Sequence, residues 1–250
     1  MKEQPIIMSS DSVRAILDGR KTQTRRAIKP QPKIISTHDG SMNLLQITGK
    51  APWFNGDPNH TCPYGLVGDR LWVRETWRVF GIYPGEPIEI QFKSDMKHAS
   101  VNEDATEDWE IKIWDQSVEE LKKYGCPCES GEKYDISDFP GFKWRPSIFM
   151  PRWASRILLE ITNVRVERLQ DITEADVYAE GIDPDNWDYL GRSKSEAWRQ
   201  EALEHIKNGN IIGAFKCLWN SINEKRGYPW SSNPWVWVIE FKVLEPSHAK

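Results

Sequence analysis

The sequence has no apolar run near the roughly 20 residues that a membrane-spanning helix needs, and its N-terminus lacks the apolar core of a secretory signal. We therefore expect a cytoplasmic protein with no membrane partner. Cysteine is scarce, and the four cysteines are expected to be reduced thiols in that compartment. His60 with Cys62 and Cys126 with Cys128 would supply zinc ligands, but neither pair has the wider spacing usual in small zinc modules. The favoured interpretation is a chain without metal or cofactor, and zinc at these residues is the open alternative.

The chain has no excess of basic charge. Its 33 lysines and arginines stand against 37 acidic residues, for a net charge of −4. This balance argues against a protein that binds long nucleic acid mainly by neutralising phosphates. The charge is uneven, because residues 13–33 are basic apart from Asp18 and residues 103–120 are dominated by acids. That pattern allows a local site for an anionic ligand on an acidic body.

The common catalytic motifs are also missing. There is no phosphate-binding glycine loop, dinucleotide fingerprint, serine elbow or HExxH pair, and the five histidines are scattered. What stands out is the octet GRKTQTRR at residues 19–26. It follows a predicted helix whose apolar positions are Val13, Ile16 and Leu17, and Gly19 fits the residue just after the helix end. The octet is either a site that presents polar side chains to a ligand or a basic surface linker.

Lys21 and Thr24 are the candidate reactive pair in the octet. Their separation of three predicts that both lie on one side of a helical or 3₁₀ turn. A lysine whose pKa is lowered by burial and by neighbouring cations can serve as a base, and a threonine hydroxyl needs such a base to become a nucleophile. Arg20, Arg25 and Arg26 supply those cations.

Residues 70–79 alternate as a half-buried strand. Leu71, Val73, Trp77 and Val79 share one face with Glu75, and the other face carries arginines together with Trp72. Trp72 and Arg74 are therefore candidates for one wall of a binding site. Glu75 lies on the apolar face and, if buried, needs a partner, for which an arginine of the octet is the candidate. A structural ion pair and a role in the site are both open for Glu75.

The C-terminal half predicts a strand at residues 155–169, helices at 195–206 and 211–222, and a central strand at 235–244. Prolines make residues 142–153 a rigid extended loop. Between them, ITEADVYAE predicts a short helix that begins at Thr173 and is ended by Gly181. Glu180 closes that helix at the negative end of its dipole, a local misfit that hints at function.

The order strand, helix, GRKTQTR, GDRLWVRE, the Glu180 helix and the closing WVWVIEF strand resembles the ASCH family of the PUA-like superfamily. The resemblance implies a single α+β domain, a mixed β-barrel with short flanking helices. Its core would be residues 5–30, 64–79, 149–182 and 211–244, with insertions at 83–142 and 183–209 that resemble longer members from phages and prophages.

Small relatives in this family include amidohydrolases that deacetylate N4-acetylcytidine. The resemblance implies Lys21 as base, Thr24 as nucleophile, Glu180 as a proton-transfer or orienting group and Arg26 as a substrate contact. Arg20, Arg25, Trp72, Arg74 and Glu75 complete the expected binding set. Gln23 and Arg25 depart from the family, which has apolar residues there. The leading hypothesis is an amidohydrolase acting on an N-acylated nucleoside or nucleobase. The alternatives are a non-catalytic binder of RNA or modified nucleic acid, and a ribonuclease.

Overall fold

The computed structural model describes residues 1–36, 42–45, 62–82, 89–100, 116–117, 119, 122–123, 134–135, 143–185 and 196–244. Helices and strands are both present and largely segregated along this part of the chain, which confirms the α+β class. No described helix has the length and apolar character that a bilayer crossing requires.

The described strands run in chain order as β1 Glu3–Ile7, β2 Gln23–Ala27, β3 Lys33–Ser36, β4 Met42–Leu45, β5 Arg70–Arg74, β6 Trp77–Ile82, β7 Glu89–Phe92, β8 His98–Ser100, β9 Tyr134–Asp135, β10 Leu158–Arg168 and β11 Trp235–Leu244. The described α-helices are α1 Ser10–Leu17, α2 Glu174–Ala179, α3 Glu196–Lys207 and α4 Ile211–Asn223.

The strands form a five-stranded sheet in the order β1-β5-β10-β11-β2, a four-stranded sheet in the order β8-β7-β6-β9, and the hairpin β3-β4. The expected β-barrel is not closed among these described strands, because the edge strands β1 and β2 of the five-stranded sheet do not pair with each other. An open sheet buries its apolar face under helices instead.

The chain divides into two compact units, which are described separately. The first unit comprises residues 1–4, 15–71 and 159–244. In its core, Ile211, Phe215 and Trp219 recur at helical spacing along α4 and are buried with Val236 and Val238 of β11. Asn210 caps the N-terminus of helix α4, and its side chain accepts a hydrogen bond from the Gly213 amide.

The octet leads into the edge strand β2 of this unit. Strands β2 and β11 pair antiparallel, with Arg25 opposite Val238 and Thr24 opposite Ile239. Because side chains alternate across a strand, Gln23 and Arg25 lie on one face of β2, and Thr24 lies on the other.

The second unit comprises residues 5–14, 72–158 and 245–250, the last six outside the described part. The predicted alternation of residues 70–79 is confirmed for its inward face, since Val73, Glu75, Trp77 and Val79 are all buried. The segment is two strands, β5 and β6, separated at residues 75–76. In the proline-rich segment, each of two 3₁₀ turns follows a proline, at Ser147–Phe149 and Arg152–Ala154.

Candidate functional site

The tight turn after α1 places Lys21. Gly19 has φ +72°, a left-handed conformation that favours glycine, and the backbone amides of Arg20 and Lys21 both donate to the carbonyl of Ala15 at 2.9 Å. Lys21 then pairs with Glu180 as an isolated antiparallel bridge. The neighbouring Thr22 amide donates to the Ala179 carbonyl at 2.9 Å, so the end of α2 is joined to the octet by backbone hydrogen bonds.

Helix α2 places Glu180. It begins with the predicted capping box, in which Thr173 and Asp176 exchange side-chain to backbone hydrogen bonds, and Glu180 is the residue that caps its C-terminus. Gly181 follows with φ +88°. A Cβ at Gly181 would lie 2.8 Å from the Cβ of Ala15 and 2.9 Å from the Cβ of Lys21, so no larger residue fits there without displacement.

Lys21 and Glu180 form a buried ion pair across 159 positions of sequence. The Lys21 ammonium donates to Oε2 of Glu180 at 2.8 Å and to the Glu180 carbonyl oxygen, also at 2.8 Å. Lys21 is 4% exposed and Glu180 8%. Burial lowers the pKa of Lys21; the Glu180 carboxylate opposes this effect, and the charges of Arg26 and Arg25 add to it.

Arg25 holds the other oxygen of Glu180. Its Nη1 donates to Glu180 Oε1 at 3.4 Å, and its Nη2 lies 3.2 Å from both Glu167 Oε2 and Asp176 Oδ2. The Arg25 side chain is 1% exposed. A guanidinium so enclosed has its charge satisfied by protein carboxylates. The structure therefore gives Arg25 partners other than the substrate expected from the sequence.

Further polar groups extend this network on the same side of the five-stranded sheet. Gln23 donates to the Asp176 carbonyl oxygen at 3.0 Å and to its Oδ1 at 3.2 Å. Arg165 of β10 donates to Asp176 at 2.8 Å and also pairs with Glu167 and with Glu240 of β11. Gln23 and Arg25 are thus members of a buried hydrogen-bonded cluster.

Thr24 lies on the opposite face of β2 from Arg25. It is 5% exposed, and its hydroxyl has no hydrogen-bond partner among the described residues. The expected helical or 3₁₀ turn through Lys21 and Thr24 is wrong, because Thr24 lies within a strand that pairs with β11. The structure brings Lys21 and Glu180 together and shows no hydrogen bond between Thr24 and either of them.

The two remaining arginines of the octet have separate surroundings. Arg20 donates to the Gly181 carbonyl at 3.0 Å and pairs with Asp18 at 2.7 Å. Burial lowers the pKa of Arg26; electrostatic interactions with Tyr64 and Glu180 oppose this effect, and that with Arg226 adds to it. Arg26 therefore shares the electrostatic surroundings of Glu180, as Lys21 does.

Trp72, Arg74 and Glu75 belong to the second unit. The ring of Trp72 is 7% exposed and is covered by the Arg74 guanidinium at 4.6 Å, so it offers little surface for stacking on a base. Glu75 is 1% exposed and accepts from Ser94 at 2.5 Å and from Arg156 at 2.9 Å. The expectation that an arginine of the octet pairs with Glu75 is therefore wrong, and Arg156 holds it instead.

Two of the four cysteines, Cys62 and Cys217, lie in the described part of the chain. His60, Cys126 and Cys128 lie outside the described residues. Cys62 is a free thiol whose pKa is raised to about 11 by burial.

Cys217, Glu201 and His205 each offer one potential ligand atom, and these atoms all lie within 4.8 Å of one another. Asn210 uses its amide oxygen to cap α4, so its amide nitrogen faces Nδ1 of His205 at 3.4 Å. Nε2 of His205 lies 4.0 Å from Glu201 Oε1.

Sequence reasoning missed three partners, namely Arg156, Glu167 and Asp176. Asp176 was recognised only as a helix cap, and it also binds Arg25 and Arg165. The alternation of β10 would have placed Arg165 and Glu167 on one face, but nothing in the sequence says which face meets Arg25.

No family model, no curated protein and no solved structure matches this chain. The ASCH resemblance therefore rests on the sequence motifs alone.

Proposed function

We propose that the chain is an amidohydrolase that removes the acyl group from an N-acylated nucleoside or nucleobase such as N4-acetylcytidine. The proposal includes membership of the ASCH family, with the five-stranded sheet as the described part of a PUA-like fold. Lys21 is the base, Thr24 the nucleophile and Glu180 the proton-transfer group.

The buried pair of Lys21 and Glu180 is the observation that carries the proposal. A buried ion pair is costly to form, and replacing such a pair by apolar residues is often neutral or stabilising. Here the pair joins two segments that the sequence had singled out independently, the octet and the misplaced carboxylate at the end of α2. Burial also moves the pKa of Lys21 in the direction that a base requires.

The proposed reaction starts with Lys21 neutral and Glu180 ionised. Thr24 Oγ attacks the acyl carbon while Lys21 Nζ accepts the hydroxyl proton, and the tetrahedral intermediate breaks the carbon–nitrogen bond as Glu180 passes that proton from Lys21 to the leaving amine. The acyl group is then an ester on Thr24. Water attacks the ester and gives one proton to Lys21, which passes it to Thr24 Oγ. This releases the carboxylic acid and restores the starting state.

Thr24 makes no hydrogen bond with Lys21 or Glu180 in the structure, although the scheme needs a proton to pass from Thr24 to Lys21. Hydrogen bonds between catalytic groups are often long in a protein without substrate and tighten only in the complex. The exposed fraction of Thr24 is small, so substrate must enter a confined space to reach it. The scheme therefore requires a bound acyl group at the edge strand β2 that both Thr24 and Lys21 can reach.

The test is deacetylation of N4-acetylcytidine by the purified protein, followed by chromatography of nucleoside and product. Wild type is expected to turn the substrate over, and Lys21→Ala and Glu180→Gln are each expected to lose about 100-fold or more of kcat. Absence of turnover by wild type, or equal turnover by Lys21→Ala, would overturn the proposal. Binding of the nucleoside without turnover would favour the non-catalytic alternative.

Lys242→Ala is the matched control. Lys242 also pairs with a glutamate, Glu160, at 2.9 Å, but its side chain is 58% exposed. An exposed pair contributes little to stability, so this variant should keep wild-type turnover. Circular dichroism of every variant separates loss of chemistry from loss of fold.

A further inference from the structure

Arg25 is the most enclosed charged side chain of the candidate site. Its 1% exposed guanidinium contacts three carboxylates, those of Glu167, Asp176 and Glu180. Two of these acids, Asp176 and Glu180, are four residues apart and so lie on one face of α2 and its C-terminus. Without a cation between them, the two carboxylates would repel each other.

We propose that Arg25 is a positioning residue, held by Glu167 and Asp176 so that it fixes the Glu180 carboxylate against Lys21. The inference rests on the proposed function, and it assigns to Arg25 a task that acts through Glu180. No contact of Arg25 with substrate is needed, although the sequence alone placed it among the substrate-binding residues.

Each carboxylate oxygen of Glu180 has its own hydrogen-bond donor. Oε1 accepts from Arg25 at 3.4 Å, and Oε2 accepts from Lys21 at 2.8 Å. A carboxylate held at both oxygens cannot rotate about its last bond without breaking one of the contacts. The guanidinium of Arg25 is planar, and its donors have fixed directions. Because Glu167 and Asp176 hold Nη2, they also set the direction in which Nη1 points. The orientation of Glu180 thus depends on residues in β10 and α2.

Arg25 also changes how tightly Glu180 holds the proton of Lys21. A positive charge on one side of the carboxylate weakens its attraction for the ammonium on the other side, which favours the neutral lysine that the reaction needs. Charged groups lie on each element that packs around this pair. They are Asp18 and Arg20 after α1, Arg26 in β2, Asp176 in α2, Arg165 and Glu167 in β10, Glu240 in β11, and Arg226, which acts through Arg26. This set holds four acids and four arginines, and Arg25 adds a further positive charge in direct contact with Glu180.

The test compares wild type with Arg25→Met and Arg25→Lys. In Arg25→Met, the limb of the kcat–pH profile that rises as Lys21 loses its proton is expected to move to higher pH, with a loss of about tenfold or more near neutral pH that higher pH recovers. A merely structural role would lower kcat at every pH and leave the limb in place. That result would overturn the inference.

Arg25→Lys keeps the charge and is the variant to use if Arg25→Met does not fold. A single ammonium cannot bridge Glu180 and the two anchors, so we expect the limb to stay near its wild-type position and kcat to fall. Full kcat in Arg25→Lys would overturn the positioning role. Arg168→Met is the control arginine variant, because Arg168 contacts the Trp235 ring and the Asn233 carbonyl, away from the pair.

A second readout does not require activity. Nuclear magnetic resonance of protein made with isotope-labelled lysine, assigned with Lys21→Arg, follows the titration of Lys21 directly. An upward shift in Arg25→Met supports the inference even if wild type proves inactive on N4-acetylcytidine, in which case the proposed function alone fails. An unchanged titration of Lys21 overturns the inference whatever the activity.

Discussion

Gly181→Ala is the substitution whose cost follows most directly from the geometry of the site. An alanine at φ +88° is in the left-handed region, which costs an L-residue about 1–2 kcal/mol. Its Cβ would also lie 2.8 Å from that of Ala15 and 2.9 Å from that of Lys21. Overpacking of this kind costs about 1–3 kcal/mol, for a total of about 2–5 kcal/mol.

Gly227→Ala isolates the steric part of that cost. Gly227 has nearly the same φ, +85°, and a Cβ there meets no atom within 4 Å. It should therefore show the backbone strain of about 1–2 kcal/mol without the overpacking. At about 2–4 °C per kcal/mol for a chain of this size, the melting temperature of Gly181→Ala should lie clearly below that of Gly227→Ala. Equal melting temperatures would refute the close approach of Gly181, Ala15 and Lys21. Turnover should fall only in Gly181→Ala, because only that variant displaces Lys21.

The remaining predictions concern the buried charges. Arg156→Met leaves Glu75 buried without its ion-pair partner and should lower the free energy of unfolding by about 3–5 kcal/mol in urea denaturation; a cost below about 1 kcal/mol would contradict the pairing. Asp176 makes the stability of the protein depend on pH in the acid range. Burial raises the pKa of Asp176, but hydrogen bonds from Thr173 and the charge of Arg25 outweigh this effect and hold the pKa at about 2, below its ordinary 3.8. Its contribution to stability is therefore present above about pH 4 and is lost as the pH falls toward 2, so Asp176→Asn should lose less stability than wild type over that interval in acid titration. An equal loss of stability in wild type and Asp176→Asn over this pH interval would contradict the prediction.

The sequence predicted correctly those helices and strands whose apolar residues are buried in the core. The closing strand at residues 235–244 agrees with β11 end to end, and the helix predicted at 211–222 agrees with Ile211–Asn223. Apolar residues recur there with a clear period, and a period identifies the element without knowledge of its neighbours. The box of Thr173 and Asp176 was likewise visible, because capping is local.

The octet shows where this reasoning fails. Gln23 to Arg26 are polar, so no apolar period separates a turn from a strand, and β2 exists only because β11 pairs with it far along the chain. Charge pairing is equally non-local. The position of Glu75 correctly predicted that it has a buried partner. The sequence contains many arginines that could be this partner, and only the fold shows that it is Arg156.

The contact of Lys21 with Glu180 was implied by the ASCH resemblance, through the block ITEADVYAE, and not by any property of either residue.

Trapping of the acyl group on Thr24 is the measurement that tests the central claim most directly. The protein is mixed with N4-acetylcytidine, quenched in acid within one turnover, and analysed by intact mass and peptide mapping. The account predicts a mass increase of one acetyl group, located on Thr24, that is absent from Thr24→Val and Lys21→Ala. Turnover without a modified Thr24, or with full activity in Thr24→Val, would contradict it.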